Sequence, residues 1–122
     1  ISFQEKMFEV LERYPPEGDE DQRPVVSRIA TQWVFACSTR FYARQAGALY
    51  SYVFGYPLDF DGWESMTFCN NHVCHGTDLP YTFESTWNNF TDVGRRISKS
   101  MATYWTNFAK THNPNEPVPV PV

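Results

Sequence analysis

Cys69, His72, Cys74 and His75 lie within seven consecutive residues, in the stretch FCNNHVCHGTDLPYTF that spans residues 68 to 83. Thiol and imidazole are the side-chain groups that ligate transition metals, close disulfides and move protons near neutral pH. Covalent haem attachment uses Cys-x-x-Cys-His, whereas four residues separate Cys69 from Cys74 here; Met66 or Met101 could offer a second axial sulfur, but no spacing positions either one. Zinc would find the right atoms in an awkward arrangement. Adjacent Cys74 and His75 can rarely both aim at one ion, structural sites usually draw on two separated pairs, and the third histidine, His112, is far along the chain. A Cys69–Cys74 disulfide needs no partner outside the stretch, and a separation of five residues permits the usual ~5.5 Å Cα spacing across a turn. Such a bond would stiffen the segment carrying His75, as a general base requires, because a base accelerates proton transfer only when held within reach of its target. By residue type and spacing alone, a single histidine is read first as a surface residue or a satisfied structural one.

The elements that must position this segment follow from periodicity. Phe3, Met7, Val10 and Leu11 recur at helical spacing and predict a helix over residues 3 to 13, stopped by Tyr14-Pro15-Pro16. Gly18-Asp19-Glu20-Asp21 forms a polar turn ahead of Pro24, and Val25, Val26, Ile29, Ala30, Trp33, Val34 and Cys37 then predict a helix over residues 23 to 46 with room for one break. Gly47 ends it. The run LYSYVFG, residues 49 to 55, alternates like a β-strand, with Tyr50, Tyr52 and Phe54 on one face. Residues 57 to 90 are rich in Asn, Gly, Asp and Pro and read mostly as loop with short ordered pieces. Thr91 or Asp92 can cap a last helix carrying Val93, Ile97, Met101, Trp105 and Phe108, which Asn113-Pro114 stops. The tail NPNEPVPVPV cannot build a ladder, so residues 114 to 122 are expected to run extended and open to disorder.

Composition bounds the function. With 122 residues the chain holds one domain at most, yet aromatics make up 17% of it, more bulky surface than so short a chain readily buries, which points to a slice of something larger. A net charge of −4 gives no general phosphate-binding surface, so nucleic acid is not an expected partner. Apolar runs such as Trp33 to Cys37 are far shorter than the roughly 20 residues of a membrane span. The opening ISFQEKMFEVLERY has neither initiator Met nor signal pattern and reads as an internal or mature start. The odd number of cysteines and the sequon Asn89-Phe90-Thr91 lean toward a secreted protein, glycosylated at Asn89.

Four blocks add a resemblance. HGTDLPYTF is similar to the histidine segment of the type-B carboxylesterases, the cholinesterase-like branch of the α/β-hydrolases. YWTNFAKTHNPN resembles that family's following helix, FACSTRFYARQAG its Phe-x-Cys-Pro-x-Arg helix, and LYSYVF the strand before the histidine loop. Order and spacing agree over about residues 22 to 116. The resemblance implies that residues 1 to 122 are the C-terminal portion of a single α/β-hydrolase domain, mainly helical with one or two strands. It implies that His75 is the general base of a Ser-His-Glu triad acting on a small-molecule carboxylic ester, with no metal or cofactor. The partner of this segment is then the remainder of the esterase domain. No Gly-x-Ser-x-Gly occurs in these residues; the nearest serine to that pattern is Ser65 in GWESM, so the nucleophile, the acid and the oxyanion glycines are expected upstream. The resemblance further implies that Cys37 pairs with a cysteine beyond Val122 and is left unpaired here.

Gln32 stands where the family usually has Asp, Ser38 where it has Pro, and Asp78 where Glu is commoner, so no choline specificity follows. The same family includes adhesion proteins and a hormone precursor in which the fold serves for binding and the nucleophile is lost, which makes a non-catalytic module the alternative. A third reading is an independent cysteine-stapled or metal-binding miniprotein.

Overall fold

Proline and glycine set the limits of the first helices. The structure is a computed structural model that describes residues 4–18, 21–47, 50–60, 67–85 and 89–121. It divides into two compact units, Ile1–Ser51 and Tyr52–Val122. In the first unit, a 3-10 turn Gln4–Lys6 leads into α1, Met7–Arg13, which stops where the prolines begin. The Gln22 side chain donates to the Gly18 carbonyl (3.0 Å) and accepts from the Glu17 amide (3.2 Å). Pro24 then occupies the first turn of α2, Arg23–Ala30, where a missing N–H costs nothing.

The expected break is a change of winding. Residues Thr31–Ala36 form a π-helical segment that joins α2 to α3, Cys37–Ala46, and Gly47 ends α3 in the left-handed region at φ 62°. Two of the three positions that depart from the resembled pattern, Gln32 and Ser38, have local jobs here. Gln32 accepts a hydrogen bond from the Tyr14 hydroxyl, and the Ser38 hydroxyl donates to the Trp33 carbonyl five residues back, at 3.2 Å. Val25 is the buried residue of this unit's helices, whereas Trp33, Val34, Phe35, Phe41 and Tyr42 are exposed.

In the second unit the predicted strand is not formed among the described residues; Leu49 lies outside them. The alternation survives: Phe54 packs on Tyr81 with ring centroids 5.3 Å apart and Tyr52 meets Trp105 edge-on, while Val53 is 94% exposed. What is missing is a ladder, since a strand is made by the neighbour that pairs with it and not by its own pleat. The described residues contain one isolated parallel bridge, Leu58 to Asn70. The loop region carries a 3-10 turn, Thr67–Cys69, and a single-turn helix, α4, Leu79–Thr82.

Thr91 caps α5, Asp92–Thr111, accepting from the Gly94 amide at 3.1 Å, as its residue type and position predict. Leu58, Tyr81 and Phe90 form the core, flanked by Phe54, Tyr56, Phe60, Ile97 and Met101. The tail differs from an extended, loose strand. The Asn107 side chain, 0% exposed, donates to the carbonyls of Pro114 (3.0 Å) and Val118 (2.8 Å) and accepts from the Val118 amide (3.2 Å), turning the tail back along α5. Farther along, the Ser100 hydroxyl donates to the Pro121 carbonyl at 2.6 Å. Satisfying carbonyls with side chains fixes a segment that proline bars from a ladder.

Candidate functional site

His75 lies on an exposed turn between the disulfide loop and α4. Cys69 and Cys74 are bonded to each other with their Cα atoms 5.8 Å apart, so neither sulfur is a thiolate available to a metal. By the chain-entropy estimate a loop this short contributes about 2 kcal/mol, and its local effect is to pin one side of the His75 turn. Within the loop the His72 amide donates to the Cys69 carbonyl at 2.9 Å. On the other side of His75, both the amide and the hydroxyl of buried Thr77 donate to the Cys74 carbonyl, at 3.1 and 2.8 Å. Gly76 between them sits at φ 84°, a conformation that favours glycine, so the residue after His75 is dictated by the turn.

Two neighbouring residues brace this segment from outside. Leu58, buried, donates its amide to the His72 carbonyl and accepts from the Asn71 amide, both at 3.1 Å, which fixes the backbone before His75. Asp59 fixes the backbone after it. The hydroxyl of Tyr81, a 0% exposed residue, donates to Asp59 Oδ1 at 2.7 Å and accepts from the Asp59 amide at 3.3 Å. Asp59 Oδ2 accepts from the Tyr56 hydroxyl at 3.1 Å and from the Thr91 hydroxyl, which joins the brace to the start of α5. The Tyr81 carbonyl accepts from the buried Ser98 hydroxyl at 2.7 Å, and the Tyr81 ring stacks on Phe90 at 4.8 Å. Leu58 and Asp59 therefore grip the chain on both flanks of His75, three residues before it and six after.

Electrostatics of the brace limit the pH range over which it holds. Burial pushes the Asp59 carboxyl up, but the hydroxyls of Thr91, Tyr81 and Tyr56 together outweigh it and hold the group below its ordinary 3.8. Burial, reinforced by the Asp59 carboxylate, raises the Tyr81 hydroxyl above its ordinary 10.0. A lowered carboxyl contributes stability that is present above pH 3.8 and lost as pH falls through the folded-state value; a raised phenol contributes stability present below pH 10.0 and lost as pH rises past it. The urea midpoint of the chain is thus expected to fall at both extremes. Tyr81→Phe should flatten the alkaline fall relative to the parent chain, and an identical alkaline limb in that variant would show that Tyr81 does not carry it.

The bonds of the brace named above use no side chain of the remaining candidates. His72 is exposed inside the disulfide loop, and His112 ends α5 in the left-handed region at φ 60° with its ring edge-on to Phe108. Cys37 is an exposed free thiol on α3, in the other unit. Asn89 is exposed two residues before the Thr91 cap. Ser65 and Met66 lie outside the described residues, whereas Met101 packs against the core. Among the described residues no three metal-ligating side chains gather, and no helix is long and apolar enough to cross a membrane. Asp59, Tyr81 and Gly94 were not candidates by sequence. One signal was available: glycine at the third position of a helix, where it weakens the helix, marks a close approach.

Comparison with known proteins defines the class. The profile of the carboxylesterase family matches residues 2–121, and this chain belongs to that family, whose fold is the α/β-hydrolase fold. Over 121 residues it is 32% identical to the "crystal protein" of Dictyostelium discoideum, covering 92% of this chain and 22% of that protein. It is 34% identical to the cAMP-regulated D2 protein of the same organism, covering 100% of this chain and 24% of that one. Human neuroligin-2 is 32% identical over 72% of this chain and 11% of its own length, and acetylcholinesterase 1 of Caenorhabditis elegans is 28% identical over 88% and 18%. The chain spans about a quarter or less of the length of these relatives. No solved structure matches.

Proposed function

We propose that this segment supplies the general-base histidine, His75, of a carboxylic-ester hydrolase that works through a Ser-His-Glu triad. The observation that carries the reading is the double brace on the His75 turn: the disulfide and Leu58 on one flank, Asp59 through Tyr81 on the other. A surface histidine needs no such support, whereas a base must keep its position through a reaction cycle. In that cycle imidazole Nε2 takes the serine proton as the hydroxyl attacks the ester carbonyl, then returns it to the departing alkoxide, while a carboxylate holds Nδ1–H. The serine and the carboxylate come from other parts of the esterase domain. The ester is a small molecule, and Gln32, Ser38 and Asp78 give no reason to assign it as choline-based. The disulfide suits an oxidising compartment, so we place the protein in the secretory pathway or outside the cell.

The full-length protein is expected to hydrolyse p-nitrophenyl acetate and to be labelled at one serine by a fluorophosphonate, and the 122-residue chain alone to do neither. A folded full-length protein that takes no label sinks the reading. The likeness to neuroligin-2, equal in identity to that with the crystal protein, supports the second reading, in which the same fold serves as a binding module.

A further inference from the structure

From Cys74 to Thr82 the backbone is a series of overlapping turns. The Thr77 amide donates to the Cys74 carbonyl at 3.1 Å, the Leu79 amide to the Gly76 carbonyl at 3.2 Å and the Thr82 amide to the Asp78 carbonyl at 2.9 Å. His75 and Tyr81 therefore sit on one stiff run, and a shift at the Tyr81 end is passed along to His75. The ring and the hydroxyl of Tyr81 do different things there. The ring, 0% exposed, lies among Phe54, Tyr56, Phe60 and Phe90 at centroid separations of 5.3, 5.8, 6.1 and 4.8 Å, a packing that phenylalanine would also supply. The hydroxyl adds direction. Its two bonds to Asp59, to Oδ1 at 2.7 Å and from the amide at 3.3 Å, fix how deep the ring sits in that cluster. Ser98 holds the Tyr81 carbonyl to α5, whereas the Tyr81 hydroxyl ties it to the dipeptide whose other member, Leu58, holds Asn71 and His72. Leu58-Asp59 is thus a common reference for the chain before and after His75.

We propose that Asp59 and Tyr81 are positioning residues for His75, Asp59 acting through the Tyr81 hydroxyl. The inference rests on the reading of His75 as the general base. The pair then sets the distance between the imidazole and the serine hydroxyl it deprotonates, and so sets kcat rather than the hold on the ester. A misplacement of about 1 Å at such a contact costs on the order of 10²-fold in rate.

The test uses the full-length protein with p-nitrophenyl acetate, at a temperature well below the Tm of every variant. Tyr81→Phe is expected to lower kcat by about 10- to 100-fold, with KM within about threefold of the parent, and to slow labelling of the serine by a fluorophosphonate to the same extent. Asp59→Ala should show the same split, and the double variant should lose little more than the larger single loss, because the two residues act as one unit. Asn107→Ala, which loosens the tail and touches none of these bonds, controls for lost stability and should keep kcat within about threefold. Near-normal kcat in Tyr81→Phe, beside an inactive His75→Ala, overturns the positioning role and leaves the base in place. A loss in Asn107→Ala as large as that in Tyr81→Phe overturns it too, since the effect would then follow stability. Losses that multiply in the double variant overturn the route from Asp59 through Tyr81. Turnover retained by His75→Ala, or absent from the parent, sinks the base reading and this inference with it.

Discussion

Replacing His75 with alanine in the full-length protein is expected to lower kcat toward a carboxylic ester by on the order of 10³-fold or more, with KM changed little. The split is diagnostic, because a base acts on the reacting proton and contributes little to holding the ester. His72→Ala and His112→Ala control for loss of an imidazole as such. The first lies in the disulfide loop and the second at the end of α5, and both should keep kcat within a few-fold of the parent. Circular dichroism must show all three variants folded. Near-normal turnover by a folded His75→Ala protein would remove this residue from the mechanism.

The second large effect is on stability. A methyl group placed on Gly94 would come within 3.0 Å of all three carboxyl atoms of Asp59. That carboxylate cannot simply swing away, since the hydroxyls of Tyr56, Tyr81 and Thr91 all donate to it. Alanine brings a gain of about 1 kcal/mol in helix propensity. Against it stand roughly 1–3 kcal/mol of overpacking and the weakening of hydroxyl-to-carboxylate bonds worth about 1.5–3 kcal/mol each. Gly94→Ala should therefore destabilise the chain by about 2–4 kcal/mol, read from the urea midpoint. Adding Asp59→Ala to that variant should cost less than it does alone, because the clash has gone with the carboxylate. A neutral Gly94→Ala would show that Asp59 is free to move.

Much of the helical framework was legible in the sequence because its causes are local. Pro24, Gly47 and Thr91 each act within one turn, and the limits of α2, α3 and α5 follow from them. The winding of residues Thr31–Ala36 was not legible, since apolar spacing does not separate α from π over so few residues. The alternation over residues 50 to 55 correctly sorted Phe54 from Val53, but pairing is a property of two segments and one pattern cannot supply it. His75 stood out through the motif that carries it. Its brace did not, because Asp59 meets Tyr81 across 22 positions and Thr91 across 32, contacts that no short-range rule reaches.

The Asn107 clasp changes how the tail exchanges its amide hydrogens with solvent. Val118 belongs to no helix and no ladder, yet its N–H is held by a side chain that is wholly inside. Asn107 can release it only by leaving its place beside the tail, and its own backbone is in the middle of the α5 ladder. Deuterium should therefore enter at Val118 on the slow schedule of α5 rather than at the rate of an irregular proline-rich segment, which makes the helix and its tail one opening unit.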